Sequence, residues 1–164
     1  MSLLESSASV LPIVCVGLFA GVQVGIRQSS YPGMVALDDA NAVRFFSHFY
    51  KPLAAIQPAL LAIAALASLL RLTLTTPPST LATLAHVLVI VHLVFVLGWT
   101  LLVMLDDNNR LLKLAADGGS GQQQQKGGDT IRTMLKNWGV RNEARVWPVL
   151  VLFVLLVVAE TGKH

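Results

Sequence analysis

The sequence predicts an all-α integral membrane protein, an antiparallel four-helix transmembrane bundle occupying residues 1–164 as one domain. Three observations carry this prediction. Hydrophobic residues make up 54% of the chain and charged residues 13%, with a mean hydropathy of +0.66, too apolar for an ordinary soluble domain of this size. Four apolar runs, at residues 10–26, 52–74, 81–105 and 146–159, reach or approach the length that spans about 30 Å of hydrocarbon at about 20 residues per helix. The second and third runs are joined by Thr76, Pro77, Pro78 and Ser79, a hairpin that only antiparallel neighbours can share.

The first run lacks a basic leader and a small-residue cleavage site, so it reads as a span and not as a removed signal. Gly17, Gly21 and Gly25 form a tandem GxxxGxxxG, a face on which another helix backbone is expected to pack closely. Gln23 interrupts the apolar run with an amide that needs a partner from a neighbouring helix. Cys15 is the single cysteine, which excludes an intramolecular disulfide and the CxxC relay of thiol-dependent quinone reductases.

Ser29, Ser30, Tyr31 and Pro32 are expected to break the helix, and Asp38 or Asp39 to cap the next one. That second helix carries Arg44, His48 and Lys51 near the membrane boundary and then Gln57-Pro58 inside, where the proline is expected to bend it and free a carbonyl. Ala54, Ala55, Ala62, Ala65 and Ser68 leave a small-residue face compatible with tight packing or a homo-oligomer. The third helix contains His86, His92 and Trp99 and is expected to stop at DDNNR. Residues 117–129, mostly Gly, Gln and Ser, read as a disordered tether. An amphipathic lead-in over 130–145 turns Ile131, Met134, Leu135 and Trp138 inward and Arg132, Lys136 and Glu143 outward, and runs into the fourth span. Trp147 reads as an interfacial anchor.

Charge sets the expected orientation. Arg27, Arg44 and Lys51 lie between the first two spans, and Arg110, Lys113, Lys126, Arg132, Lys136, Arg141 and Arg145 between the last two, against Arg71 and Lys163 on the other side. The positive-inside rule then places both long loops in the cytosol and both termini across a membrane, an endomembrane such as the endoplasmic reticulum being the expected location. These basic residues lack interleaved aromatics and flank membrane spans, so nucleic acid is not an expected partner; the lipid bilayer is.

The expected topology draws Gln23, His48, Tyr50, Asn108, Asn109, Arg110, Trp138, Asn142 and Arg145 to one end of the bundle. Trp138, Asn142 and Arg145 occupy positions i, i+4 and i+7, one helix face, and ionisable groups beside hydrocarbon read as a working site. No metal site is expected. His86 and His92 are about 240° apart around a helix, His48 lies near the opposite boundary, and no HxxxH or Glu-x-x-His pair occurs. His92 is expected to be buried and hydrogen-bonded across helices.

With HFYKPLAAIQP opening the second helix, NNRLLKL after the third and WGVRNEARVWP leading into the fourth, the chain resembles the anthrone oxygenase-like membrane proteins. That resemblance implies oxidation of a polyketide anthrone, an aromatic small-molecule substrate, to its anthraquinone with molecular oxygen as co-substrate and no cofactor. It marks His48, Asn108, Asn109, Arg110, Trp138, Asn142 and Arg145 as the matching positions. No GxGxxG, haem-attachment or P-loop motif stands against a cofactor-free reaction. By chemistry, His48 suits the general base, Arg145 the cation that steadies an anthronate and reduced oxygen, Asn142 a hydrogen bond to the substrate, and Trp138 a stacking platform. Tyr50, Asn108, Asn109, Arg110 and Gln23 complete the expected binding residues. The alternative is a non-catalytic tetraspan scaffold or subunit, which requires outward-facing His48 and Arg145 and no apolar pocket.

Overall fold

The computed structural model describes residues 3–74, 79–118 and 130–162, and these are helical apart from short connections. Helix α1 (Leu3–Gly25) passes through a π-helical turn, Ile26–Ser30, directly into α2 (Tyr31–Ala36). After the extended Leu37 come α3 (Asp39–Leu74), α4 (Thr80–Trp99), a second π-helical turn at Thr100–Met104, α5 (Leu105–Ala116) and α6 (Ile131–Thr161). They form four units long and apolar enough to cross a membrane, Ser7–Ala36, Asp39–Thr73, Thr80–Ala116 and Ile131–Thr161, so the chain is a multi-pass membrane protein. Helix α1 packs against α3 and α6, and α4 packs against the same two from the other side.

Several local boundaries differ from the sequence reading. Ser29 to Pro32 do not break the first helix, because Pro32 sits in the opening turn of α2, where its missing N–H and fixed φ are tolerated. The break falls at Leu37 and Asp38. The Asp38 carboxylate accepts the Asn41 backbone N–H at 3.0 Å and the Asn41 side-chain amide at 2.6 Å, and these bonds hold its pKa below the usual carboxylate value. Arg132 closes the corner from α6, with Nε on Asp39 at 2.9 Å, Nη2 on the Leu37 carbonyl at 2.5 Å and Nη1 on the Val35 carbonyl. It thereby satisfies carbonyls that a helix end leaves open. The third unit continues past DDNNR to Ala116, with Asp106 and Arg110 paired one turn apart at 3.0 Å. Ser79 caps α4 by accepting the Ala82 N–H at 3.2 Å; the rest of the expected hairpin and residues 119–129 of the expected tether lie outside the described residues.

Two apolar clusters are stacked along the bundle. One gathers Val16, Phe19, Leu61, Val89, Leu152 and Leu156, and the other Ile26, Met34, Phe46, Met104, Leu111 and Trp138. Outside the first cluster the exposed side chains are apolar, among them Leu18, Leu66, Val91 and Val154. Around the second they include Arg44, Lys51, Arg110 and Arg132. The surface therefore changes from hydrocarbon-compatible to charged roughly where the clusters meet. At the far end of the first cluster, Glu160 accepts His86 Nε2 at 3.1 Å and faces Arg71 Nε at 3.6 Å, while Ser68 Oγ lies 3.1 Å from His86 Nδ1. This buried group ties α3, α4 and α6 together, and sequence reading did not anticipate Glu160 or Arg71 in it.

The glycine face of α1 is mostly unused within the chain. Gly17 receives the Phe153 ring, to which an added Cβ would stand 2.8 Å away, but Gly21 and Gly25 have nothing within 4 Å of that position. The tight contact occurs elsewhere, at Gly139 in α6, where a Cβ would lie 2.4 Å from the Tyr31 ring. Gly139→Ala should therefore destabilise the protein by about 1–3 kcal/mol through overpacking. Gly21→Ala should be neutral or stabilising by up to about 1 kcal/mol, since only helix propensity changes. Denaturant unfolding of both variants in detergent micelles checks the contrast.

Candidate functional site

Where the two apolar clusters meet, five residues, at least one from each of the four membrane-crossing units, enter a single hydrogen-bond chain. Gln57 Oε1, on α3, accepts Gln23 Nε2 from α1 at 3.5 Å. Gln23 Oε1 accepts Asn142 Nδ2 from α6 at 3.3 Å. Asn142 Oδ1 accepts Arg145 Nη2 one turn along the same helix. Arg145 Nη1 donates to Thr100 Oγ1 at 3.3 Å, and the Thr100 hydroxyl donates in turn to the Val96 carbonyl at 2.7 Å. Thr100 opens the π-helical turn after α4, a local widening of the helix of the kind that often accompanies functional sites. Arg145 is 6% exposed and Gln23 fully buried, so the chain takes the place of solvent for the guanidinium.

A cavity of about 220 Å³ lies against this layer. Its polar lining comprises Gln57, Thr100, Asn108 and Arg145, and its aromatic lining is Phe49, Tyr50 and Trp138. Trp138 Nε1 donates to Asn108 Oδ1 at 2.9 Å, and its ring meets Phe46 and Phe49 edge-on at 5.3 and 5.8 Å. Tyr50 stacks on Phe46 at 5.1 Å with the planes 12° apart. Two donors in the lining residues have no hydrogen-bond partner among the described residues, Arg145 Nε and Asn108 Nδ2, and both are buried. A buried polar group left unsatisfied costs about 1–3 kcal/mol. Two of them on residues that line one cavity, one a cation, suit a site for an acceptor such as a carbonyl or oxyanion.

Of the nine residues expected at the site, six come together: Gln23, Tyr50, Asn108, Trp138, Asn142 and Arg145. Three do not. His48 is exposed and absent from the cavity wall, because it lies two residues from Tyr50, about 200° around the helix that presents Tyr50, Leu53 and Gln57 to the cavity. Asn109 and Arg110 follow Asn108 by about 100° and 200° and are exposed for the same reason. Gln57 and Thr100 are members that sequence reading did not assign. The available signal was polarity inside an apolar run, since Gln23 and Gln57 are both amides in apolar runs and satisfy each other. His92 also departs from expectation: it is buried, but its Nε2 has no partner among the described residues, and its ring packs against Phe19 and Phe95. No three His, Cys, Asp or Glu side chains among the described residues gather to hold a metal ion.

Outer contacts hold α6 in phase with the third unit. Trp99 Nε1 donates to the Arg141 carbonyl at 3.0 Å, and Arg141 Nη1 reaches the Val103 carbonyl at 3.1 Å and the Asp107 carboxylate. Arg27 pairs with Glu143 at 3.2 Å and lies 5.0 Å over the Trp147 ring, which is exposed as an interfacial residue would be.

If the layer is one connected unit, Asn142→Ala should lower stability by about 1–3 kcal/mol by unpairing Gln23 and Arg145. Combined with Gln23→Ala, it should show a coupling of about 0.5–3 kcal/mol in a double-mutant cycle; additive losses would mean that the chain is not cooperative. Comparison with curated proteins and with solved structures returns no match. A sequence model described as anthrone oxygenase matches residues 45–155, more than half of the chain, including Tyr50, Asn108, Trp138, Asn142 and Arg145. The chain therefore belongs to the anthrone oxygenase family.

Proposed function

We propose that the protein oxidises a lipophilic polycyclic anthrone to the anthraquinone in the Arg145 cavity, with O₂ as co-substrate and no cofactor. The observation that carries this reading is that Arg145 and Asn108, each with a buried donor unpartnered among the described residues, line a cavity walled by aromatic rings. Loss of a methylene proton converts an anthrone into a delocalised anion whose charge rests largely on the carbonyl oxygen. Arg145 keeps its proton at any physiological pH, so with Asn108 it favours that anion over the neutral ketone. Trp138 and Phe49 offer faces and edges to the flat ring system.

The anion gives one electron to O₂, and the resulting radical pair joins at the former methylene carbon as a peroxide. Protonation and loss of water, with departure of the second methylene hydrogen, leave the new carbonyl. One anthrone and one O₂ thus become one anthraquinone and one water. Besides Arg145, Tyr50 is the one ionisable side chain in the lining, and it takes the place first expected of His48 in moving these protons. As a phenol it can donate a proton to the peroxide oxygen. The positive-inside pattern supports a charged end, and with it a cavity, on the cytosolic side. Inward-facing Arg145 and the cavity support this reading over a non-catalytic scaffold, for which only the outward His48 speaks.

Membranes carrying the protein should oxidise an emodin-type anthrone under O₂ and not under argon, after subtraction of spontaneous oxidation. Chelator treatment should leave the rate unchanged. Arg145→Gln should reduce kcat by about 10²–10³-fold, the scale of losing one oxyanion donor. His48→Ala should stay within about twofold of wild type, because its side chain does not reach the cavity. A wild-type rate in Arg145→Gln, or a collapse in His48→Ala, would refute the assignment.

A further inference from the structure

The walls of the Arg145 cavity are not equally deep in the protein. Ile26, Gln57, Val96, Asn108, Trp138 and Arg145 are buried. Ala54, Leu97 and Leu101 line the same cavity yet are exposed on the outer surface, Leu101 to 60%. These three are apolar, one from α3 and two from the third membrane-crossing unit. Helix α3 packs against α4 and α5, but the π-helical turn between those two, Thr100–Met104, packs on α6 and makes little contact with α3. The seam between α3 and the third unit is therefore loosest at the level of the cavity. On the α3 side Pro58, also in the lining, has no N–H to give the Ala54 carbonyl, so the helix is one hydrogen bond short there.

The surface around this seam is apolar. Exposed neighbours are Ile56 on α3 and Val94, Leu102 and Leu105 on the third unit. The nearest charged side chains along the sequence are Lys51, one turn toward the charged end of α3, and Asp106. A mouth bounded by Ala54 and Leu101 thus opens onto hydrocarbon and not onto water. Size bears on how a ligand sits in it. The cavity holds about 220 Å³, below the ~300–1,000 Å³ usual for a small-molecule site, so a tricyclic ligand that reaches Arg145 also fills the mouth.

We propose that a flat lipophilic substrate enters the Arg145 cavity sideways from the bilayer, through a mouth between α3 and the π-helical turn whose width Ala54 and Leu101 set. The identity of the substrate rests on the oxygenase reading. The ring system enters edge first, its oxygen leading toward Arg145 and Asn108, and its far edge stays against the acyl chains. Ala54 has the smallest side chain of the rim, so added bulk at that position narrows the mouth most.

The protein is reconstituted in phosphatidylcholine nanodiscs and followed by two readouts. One is anthrone turnover under O₂. The other is the saturable quenching of tryptophan fluorescence by 1-hydroxyanthraquinone, Trp138 being in the cavity wall. Ala54→Phe should lower kcat/KM and weaken quinone binding, each about tenfold, the scale of one overpacked side chain. Leu101→Ala in that background should reopen the mouth and bring both values to within about threefold of wild type. Leu102→Phe, which puts a ring beside the mouth but outside the lining, should stay within about twofold. Wild-type values for Ala54→Phe in both readouts would place the entrance elsewhere and overturn the proposal. A loss that Leu101→Ala does not restore would assign the effect to disturbed packing and overturn it as well. Quinone binding weakened by Ala54→Phe in a protein that turns over no anthrone would sink the oxygenase reading alone, whereas turnover unaltered by Ala54→Phe would sink this one alone.

Discussion

The guanidinium of Arg145 is the constraint to which the rest of the bundle conforms. Arginine cannot escape burial by giving up its proton, so a buried one must be solvated by the protein itself. Asn142 and Thr100 do this directly. Asn142 is oriented by Gln23, and Gln23 by Gln57, so the accommodation of one charge requires a contribution from all four membrane-crossing units. Within hydrocarbon the lipid tails are as apolar as leucine, and apolar packing alone selects helix register weakly. A polar layer has few ways to satisfy itself, which makes it a stronger determinant of rotation and height.

A second pin stands at the other end. Ser68, Arg71, His86 and Glu160 meet beyond the apolar cluster of Phe19, Val89 and Leu156 and join α3, α4 and α6. Between the two polar groups the core is aliphatic and small-residue rich, with alanines such as Ala64 and Ala85 fully or almost fully buried. The polar groups set the register and the apolar cluster fills the space between them. The same division explains why the glycine row of α1 does so little inside the chain: Gly21 and Gly25 face open space while Gly17 alone receives a ring.

Satisfaction of the Arg145 layer stops short of completion. Five of its members bond to one another, yet Arg145 Nε and Asn108 Nδ2 have no partner among the described residues, and both residues line a cavity. Local rules that are obeyed almost everywhere and broken in one cavity mark the place where stability is traded for chemistry. The outward position of His48 sharpens that chemistry. Among the described residues the cavity is lined by a cation and a phenol and no imidazole, which on the proposed reading suits it to stabilising an anion.

Hydropathy and periodicity alone determined the four membrane-crossing helices, the inward face of α6 with Trp138, Asn142 and Arg145, and the need of Gln23 for a partner. These are legible because an apolar stripe at helical spacing fixes which face is buried. The start of α3 and the Asn108-Asn109-Arg110 segment carry polar residues on every side, so their sequence is compatible with several rotations about the helix axis. Only packing against the neighbouring helices selected Tyr50 over His48 and Asn108 over Arg110. Thr100 and Glu160 became visible in the same way, as single polar atoms brought within bonding distance of residues dozens of positions away. The tertiary structure decided what hydropathy could not, because a 100° turn of a helix leaves its composition unchanged and replaces every side chain that faces the core.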